Sequence, residues 1–145
     1  METMLVSACL LGLNCKYSGG SNLCPAVAAL RAHIHLVPIC PEQLGGLPTP
    51  RPPAECQGNQ VLNREGRDVT AEFEKGAQAA LALAKLLGCT GAILKARSPS
   101  CGVDEIYDGT FTGKTVPGSG VTAALLRRHG LALYTEENLP KLPSV

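Results

Sequence analysis

The chain has no tryptophan, and its aromatic residues are three Tyr and two Phe in 145 positions. A core without large rings must be filled by Leu, Val, Ile and Ala, which suits Ala-rich helices packed closely on a sheet. Charge of one sign is equally scarce: the formal net charge is +1, and no basic run occurs. The electrostatic footprint of a duplex nucleic-acid binder is therefore missing, although a small nucleotide ligand stays compatible. No apolar run reaches the length that crosses a bilayer. The run from Ala8 to Leu13 is short, follows no basic segment and carries no cleavage signal, so a secretory leader is not expected. A single domain over residues 1–145, in the cytoplasm and away from membranes, is the expectation from these absences.

Cysteine, by contrast, is plentiful, with seven residues and no Cys-x-x-Cys. In a reducing compartment these are thiols rather than a disulfide framework, and an odd count leaves at least one unpaired in any case. They become candidates for metal, cluster or nucleophilic chemistry alongside ordinary burial.

The stretch Val37–Arg51 is the organising segment. An apolar strand pattern stops at Cys40, Glu42 follows two residues later, and then come Gly45, Gly46, Pro48 and Pro50, a composition that predicts a shaped loop rather than a helix interior or a central strand. Before it, Met4–Ala8 predicts a first strand ending at Cys9. A Gly-rich loop leads from there to a helix over 26–33, capped by Ser21 or Asn22, with Val27, Leu30 and Ile34 on one face. Leu36–Ile39 predicts a second strand whose Pro38 belongs at an edge or strand end. From Leu47 to Asn59 four prolines and a glycine predict no regular structure, with at most a small excursion around Gly66. Thr70 predicts an N-cap for a long helix bearing Phe73, Ala77, Ala80, Leu81, Ala84 and Leu87 on one stripe, stopped by Gly88. Gly91–Lys95 is a third strand. Ile106–Phe111 carries an Asp-Gly that predicts a tight hairpin. A helix from Val121 to Arg128 and a strand over Leu131–Thr135 complete the pattern, and the tail from about residue 137 is expected at the periphery.

Strands alternating with helices imply right-handed parallel crossovers, hence an α/β, three-layer Rossmann-like sandwich with a mainly parallel sheet of about four strands. Ligands of such folds bind beyond the carboxyl ends of the strands. Cys9, Cys40 and Cys101 all fall at strand exits, and soft sulfur ligands there suit zinc, copper(I) or an iron–sulfur centre, with plain burial the alternative for each. Cys24, Cys56 and Cys89 read as small core hydrophobes. Cys15, in the first loop, is open between a fourth ligand, a nucleophile and a sulfur relay. Glu42 is either a solvated loop carboxylate or a proton-transfer group. Arg51 and Lys95 can bind an anion or end an element, Ser98 and Ser100 can stabilise turns, and Gly118-Ser119-Gly120 offers a weak anion signal at a helix start. His33, His35 and His129 lack paired metal spacing.

Several long blocks carry more than any single motif: Leu5–Gly12, Cys40–Arg51, Asp68–Thr70, Leu94-Lys95 with Ser98–Gly102, and Ile106–Phe111. From Met4 to about Glu137 the sequence resembles a bacterial family long classed as a domain of unknown function, which includes a thiouracil desulfidase. The resemblance implies a non-redox enzyme that replaces the sulfur of a thiolated pyrimidine, of the thiouracil or 4-thiouridine nucleotide type, by oxygen from water with release of hydrosulfide. It implies a [4Fe-4S] cluster held by Cys9, Cys40 and Cys101, with Glu42 as the base that activates water. Tyr17, Arg51, Ser98 and Ser100 are the expected substrate contacts. The loop after Cys15 departs from the family pattern: Lys16-Tyr17-Ser18-Gly19 stands where Arg-Tyr-Asp-Gly is usual. Two other classes stay open at this point, a cluster- or metal-containing nucleotide-binding module without catalysis and a cysteine persulfide sulfur-transfer protein. The oligomeric state is open too, a homodimer among the options.

Overall fold

The computed structural model describes residues 1–142. Four parallel strands form the central sheet: β1 (Thr3–Ser7), β2 (His35–Ile39), β5 (Gly91–Leu94) and β8 (Ala132–Thr135), in the spatial order β2-β1-β5-β8. The helices α1 (Pro25–Ala29), α3 (Thr70–Leu87) and α4 (Val121–Arg128) supply the crossovers. Strand alternation divides the core into two layers. Leu5, Ala92 and Leu94 pack with Ala77, Ala80, Leu81 and Ala84 of α3 and with Ala123 and Leu126 of α4. Met4, Val6 and Ile93 face the opposite way onto Val27, Leu30 and Ile34. Small side chains on α3 let it lie close to the sheet, which is how a core poor in rings is filled.

The chain leaves β1 to one side to make β2 and returns to the other side to make β5. The carboxyl ends of β1 and β5 thus flank a switch point, where an α/β sheet opens a crevice. Pro38 sits on β2, an edge strand, where its missing N–H removes no ladder bond on the outer side. Gly88 closes α3 in the left-handed conformation at φ 66.

Several local expectations are corrected. Residues 41–44 form a short helix, α2 (Pro41–Leu44), with Pro41 at its first position and Cys40 as its N-cap. Two glycines seat it: a Cβ on Gly45 would overlap the Glu72 carbonyl oxygen, and one on Gly76 would overlap the Pro41 carbonyl oxygen. The proline-rich stretch ends in a hairpin of β3 (Ala54–Gln57) and β4 (Gln60–Asn63), because the prolines stop at Pro53 and leave the following N–H groups free to pair. The excursion around Gly66 extends this hairpin, with Asn63 N–H on Arg67 O at 2.9 Å and Val69 N–H on Val61 O at 2.8 Å. Thr70 is the first residue of α3 rather than its cap. Its N–H is taken by Asp68 Oδ1 at 2.9 Å, and its own Oγ1 accepts the Val61 N–H at 2.8 Å. Leu87, in the last turn, is exposed. The second ribbon pairs β6 (Glu105–Tyr107) with β7 (Thr115–Pro117) across a connection over 108–114, so Asp108-Gly109 starts a longer loop rather than a two-residue turn. Just ahead of the tail, Glu136 is tied to the body: its Oε1 accepts the Ala96 N–H at 2.7 Å and its Oε2 pairs with Lys95 Nζ at 2.9 Å. Pro140 is buried, while Pro143, also assigned to the tail, lies outside the described residues.

Candidate active site

The exits of β1, β2 and β5 end differently, and each ending carries a cysteine. After β1 the chain turns at once into a 3-10 helix (Ala8–Leu11) that contains Cys9 and is closed by Gly12 at φ 94, a left-handed conformation that favours glycine. Cys40 stops β2 at the start of α2. Cys101 lies on the loop after β5, where Ser98 Oγ accepts the N–H groups of Ser100 and Cys101, both at 3.1 Å. All three cysteines line one cavity of about 670 Å³ at the switch point, and Cys15 joins them there. Asn22, which sequence reading assigned to a helix cap, instead donates from Nδ2 to Cys9 Sγ at 3.4 Å, and Cys24 takes the N-cap position of α1. The Cys40 thiol donates to the Cys15 carbonyl at 3.7 Å.

The thiols also feel one another. Burial pushes the Cys101 thiol up to about 12, with Glu42 and then Cys9 adding to the shift. Burial likewise raises Cys15 to about 12, with Cys40 next in importance, and raises Cys9 against the lowering effect of the Asn22 hydrogen bond. A protein that holds these groups as neutral thiols in the absence of a metal is one whose ligands must lose protons as a metal centre assembles.

Glu42 lines the same cavity from the first turn of α2. Its Oε2 is paired with Arg51 Nη2. Arg51 makes further bonds to the carbonyls of Cys15 (3.0 Å) and Pro48 (3.2 Å) and to Thr49 Oγ1 (2.9 Å). Both Nη atoms are thus engaged inside the protein, and the side chain is 5% exposed. Arg51, expected to contact substrate, lines the cavity and there holds Glu42. A correction concerns Ser100, which is fully buried, shares a 2.8 Å hydrogen bond with Thr122 Oγ1 and does not line the cavity. Ser98, Tyr17, Lys16 and Lys95 do line it, whereas Ser18 of the divergent loop does not. The helix start at Gly120 offers no anion site either. The N–H groups of Gly120, Val121, Thr122 and Ala123 are taken by the carbonyls of Gly102, Pro99 and Ser100, so the Cys101 loop caps α4. His33, His35 and His129 are exposed. Cys24, Cys56 and Cys89 are half-buried, packed against the hydrophobic clusters and not in the cavity wall.

Sequence reasoning missed Asn22, Glu55, Tyr107 and Phe111 as wall or contact residues, since each arrives through contacts distant along the chain. Among the described residues, no three His, Cys, Asp or Glu side chains gather tightly enough to hold a single metal ion. Thiols at three strand ends around one cavity are the soft sulfur donor set that an iron–sulfur cluster takes. No helix among the described residues is long and apolar enough to cross a membrane.

Comparison with known proteins agrees with this arrangement. The chain is 44% identical over 146 residues to the uncharacterized protein YbbK of Bacillus subtilis (strain 168), covering 94% of this chain and 97% of that one. The solved structure of a [4Fe-4S]-dependent thiouracil desulfidase, TudS, superposes with a TM-score of 0.89 at 49% identity, over 94% of this chain and 92% of the other. Residues 4–138 match the profile of 2-thiouracil desulfurase, and the chain belongs to that family.

Proposed function

We propose that this protein is a non-redox desulfidase that hydrolyses the C=S group of a thiolated pyrimidine to C=O and releases hydrosulfide. The observation that carries the reading is the convergence of Cys9, Cys40, Cys101 and Glu42 on one cavity at the switch point of the sheet. Cys9, Cys40 and Cys101 would hold a [4Fe-4S] cluster, which supplies an iron without a protein ligand as a Lewis acid for the substrate sulfur.

The chain's own residues do the rest. Arg51 occupies Glu42 Oε2 and leaves Oε1 for a water molecule, so the pair orients a general base rather than merely neutralising it. Glu42 takes the proton from that water as its oxygen attacks the thiocarbonyl carbon. Carbon exchanges one partner for another at constant oxidation state, so no electron donor is needed. Tyr17, Arg51 and Ser98, from separate segments of the cavity wall, are the substrate contacts in this reading. The free base and a 4-thiouridine nucleotide are both candidate substrates.

The test is to incubate anaerobic, cluster-loaded protein with 2-thiouracil and 4-thiouridine monophosphate in ¹⁸O-water without reductant. The expected result is loss of thione absorbance, stoichiometric hydrosulfide and label in the product. Binding without turnover would make the protein a binding module. Sulfur carried away as protein persulfide would make it a transfer protein, and a strict need for a reductant would reject the hydrolytic reading.

A further inference from the structure

Aromatic residues are few in this chain, and four of them, Tyr17, Phe73, Tyr107 and Phe111, line the cavity that holds the cysteines; among the five, Tyr134 alone is not part of that wall. Phe111 stands out because its backbone is left-handed, at φ 58. A bulky residue adopts that conformation only when its surroundings impose it, and such strain is concentrated at sites where a side chain must point in one direction.

What imposes it is a buried carboxylate. Glu55, on β3 and 9% exposed, accepts through Oε1 the N–H groups of Gly109 at 3.0 Å and Phe111 at 3.1 Å. Gln57, on the same strand, donates from Nε2 to the Gly109 carbonyl at 2.7 Å. The loop is pressed so closely to the hairpin that a Cβ on Gly109 would lie 2.6 Å from Gln57 Cγ and 2.8 Å from the Cys56 carbonyl oxygen. Arg64, exposed on the cavity wall, lies 5.6 Å from the centre of the Phe111 ring. Burying a carboxylate to hold a strained aromatic residue is costly if the ring serves only as surface cover.

We infer that Phe111 is a specificity-determining residue whose ring stacks on the planar heterocycle of the substrate, and that Glu55 is the positioning residue that fixes it. This rests on the thiolated-pyrimidine reading above. A flat ring is recognised by stacking independently of its exocyclic atoms, so the contact selects planarity while the thiocarbonyl is left to the cysteine end of the cavity.

The experiment compares cluster-loaded wild type with Phe111→Leu, Phe111→Gly, Glu55→Ala and Glu55→Gln. Turnover of 2-thiouracil is measured together with calorimetric binding of 2-thiouracil and of 5,6-dihydro-2-thiouracil, which keeps the thiocarbonyl but loses the flat ring. Both Phe111 variants should raise KM and Kd for 2-thiouracil by ~10-fold with kcat little changed, and should erase the preference over the dihydro compound. Glu55→Ala should do the same, and Glu55→Gln, whose amide oxygen still accepts both N–H groups, should restore it. Phe111→Leu covers the case in which the glycine variant fails to fold. Unchanged KM, Kd and planarity preference in Phe111→Leu, with wild-type turnover intact, would overturn the stacking role and leave the desulfidase reading standing. Wild type without turnover would defeat that reading instead, and the binding titrations alone would then decide: weakened 2-thiouracil binding in the variants supports stacking, while equal binding, or none to wild type, rejects it.

Discussion

At Glu42 a single carboxylate is held by a single guanidinium, and the consequences of changing it can be separated from the consequences of losing the cluster. Glu42→Gln keeps the side-chain shape but cannot accept a proton from water. Turnover should fall by ~10²–10⁴-fold while the visible absorption of the loaded protein persists; wild-type turnover in that variant would assign the base elsewhere. The cysteines divide in the same way. Cys9→Ala, Cys40→Ala and Cys101→Ala should each abolish the broad visible absorption of anaerobically reconstituted protein, because each removes one of the three cavity thiols that stand at strand exits. Cys24→Ala, Cys56→Ala and Cys89→Ala should retain it, since none of these reaches the cavity wall. Retention in one of the first three together with loss in Cys15→Ala would redraw the ligand set. Cys9, Cys40 and Glu42 were legible one by one, as polar or sulfur-bearing residues where an apolar pattern stops. Asn22 was not, because its bond to the Cys9 sulfur spans 13 residues and leaves no periodic trace.

Among elements, α2 illustrates how a short helix can be dictated from outside. Four residues make too few internal bonds to stand alone. It is held because Gly45 and Gly76 let its backbone touch that of α3. Gly76→Ala would favour the helix interior of α3 on propensity alone, by about 1 kcal/mol. The clash with the Pro41 carbonyl should outweigh this, with a net loss of ~1–3 kcal/mol in denaturant unfolding. As α2 carries both Cys40 at its start and Glu42 in its first turn, the same variant should lose turnover beyond its loss of stability. A variant more stable than wild type and fully active would disprove the close seating. The long helix α3 was readable from its small-residue stripe and its Gly88 stop. The β3–β4 hairpin was not, since four prolines ahead of it masked a run of only four residues per strand. The Cys101 loop was placed correctly, yet its capping of α4 through Pro99, Ser100 and Gly102 carbonyls depends on backbone contacts that side-chain patterns do not encode.

For the molecule as a whole, Cys9, Cys40 and Cys101 stand at three strand exits separated by long stretches of chain, so a cluster held by them, binding the native state and not the unfolded one, would stabilise the fold. Anaerobic loading should raise the melting temperature, by about 2–4 °C for each kcal/mol of binding linkage in a chain of this size. Removal of the iron by a chelator should reverse the shift, and equal melting of loaded and iron-free protein would refute ligation across the three strand exits. What the sequence by itself determined was the layered α/β arrangement, its parallel crossovers and the delivery of Cys9, Cys40 and Cys101 to one edge of the sheet. Those follow from hydrophobic periodicity and from the one-sided emergence of parallel strand ends. Only the tertiary structure decided that Arg51 serves Glu42, that Ser100 turns inward to Thr122, that Cys15 joins the cavity and that Glu55 fixes Phe111. These contacts join groups that are not sequence neighbours, from nine residues apart for Arg51 and Glu42 to 56 for Glu55 and Phe111, and the direction of such a group is set by packing around it rather than by the residues on either side.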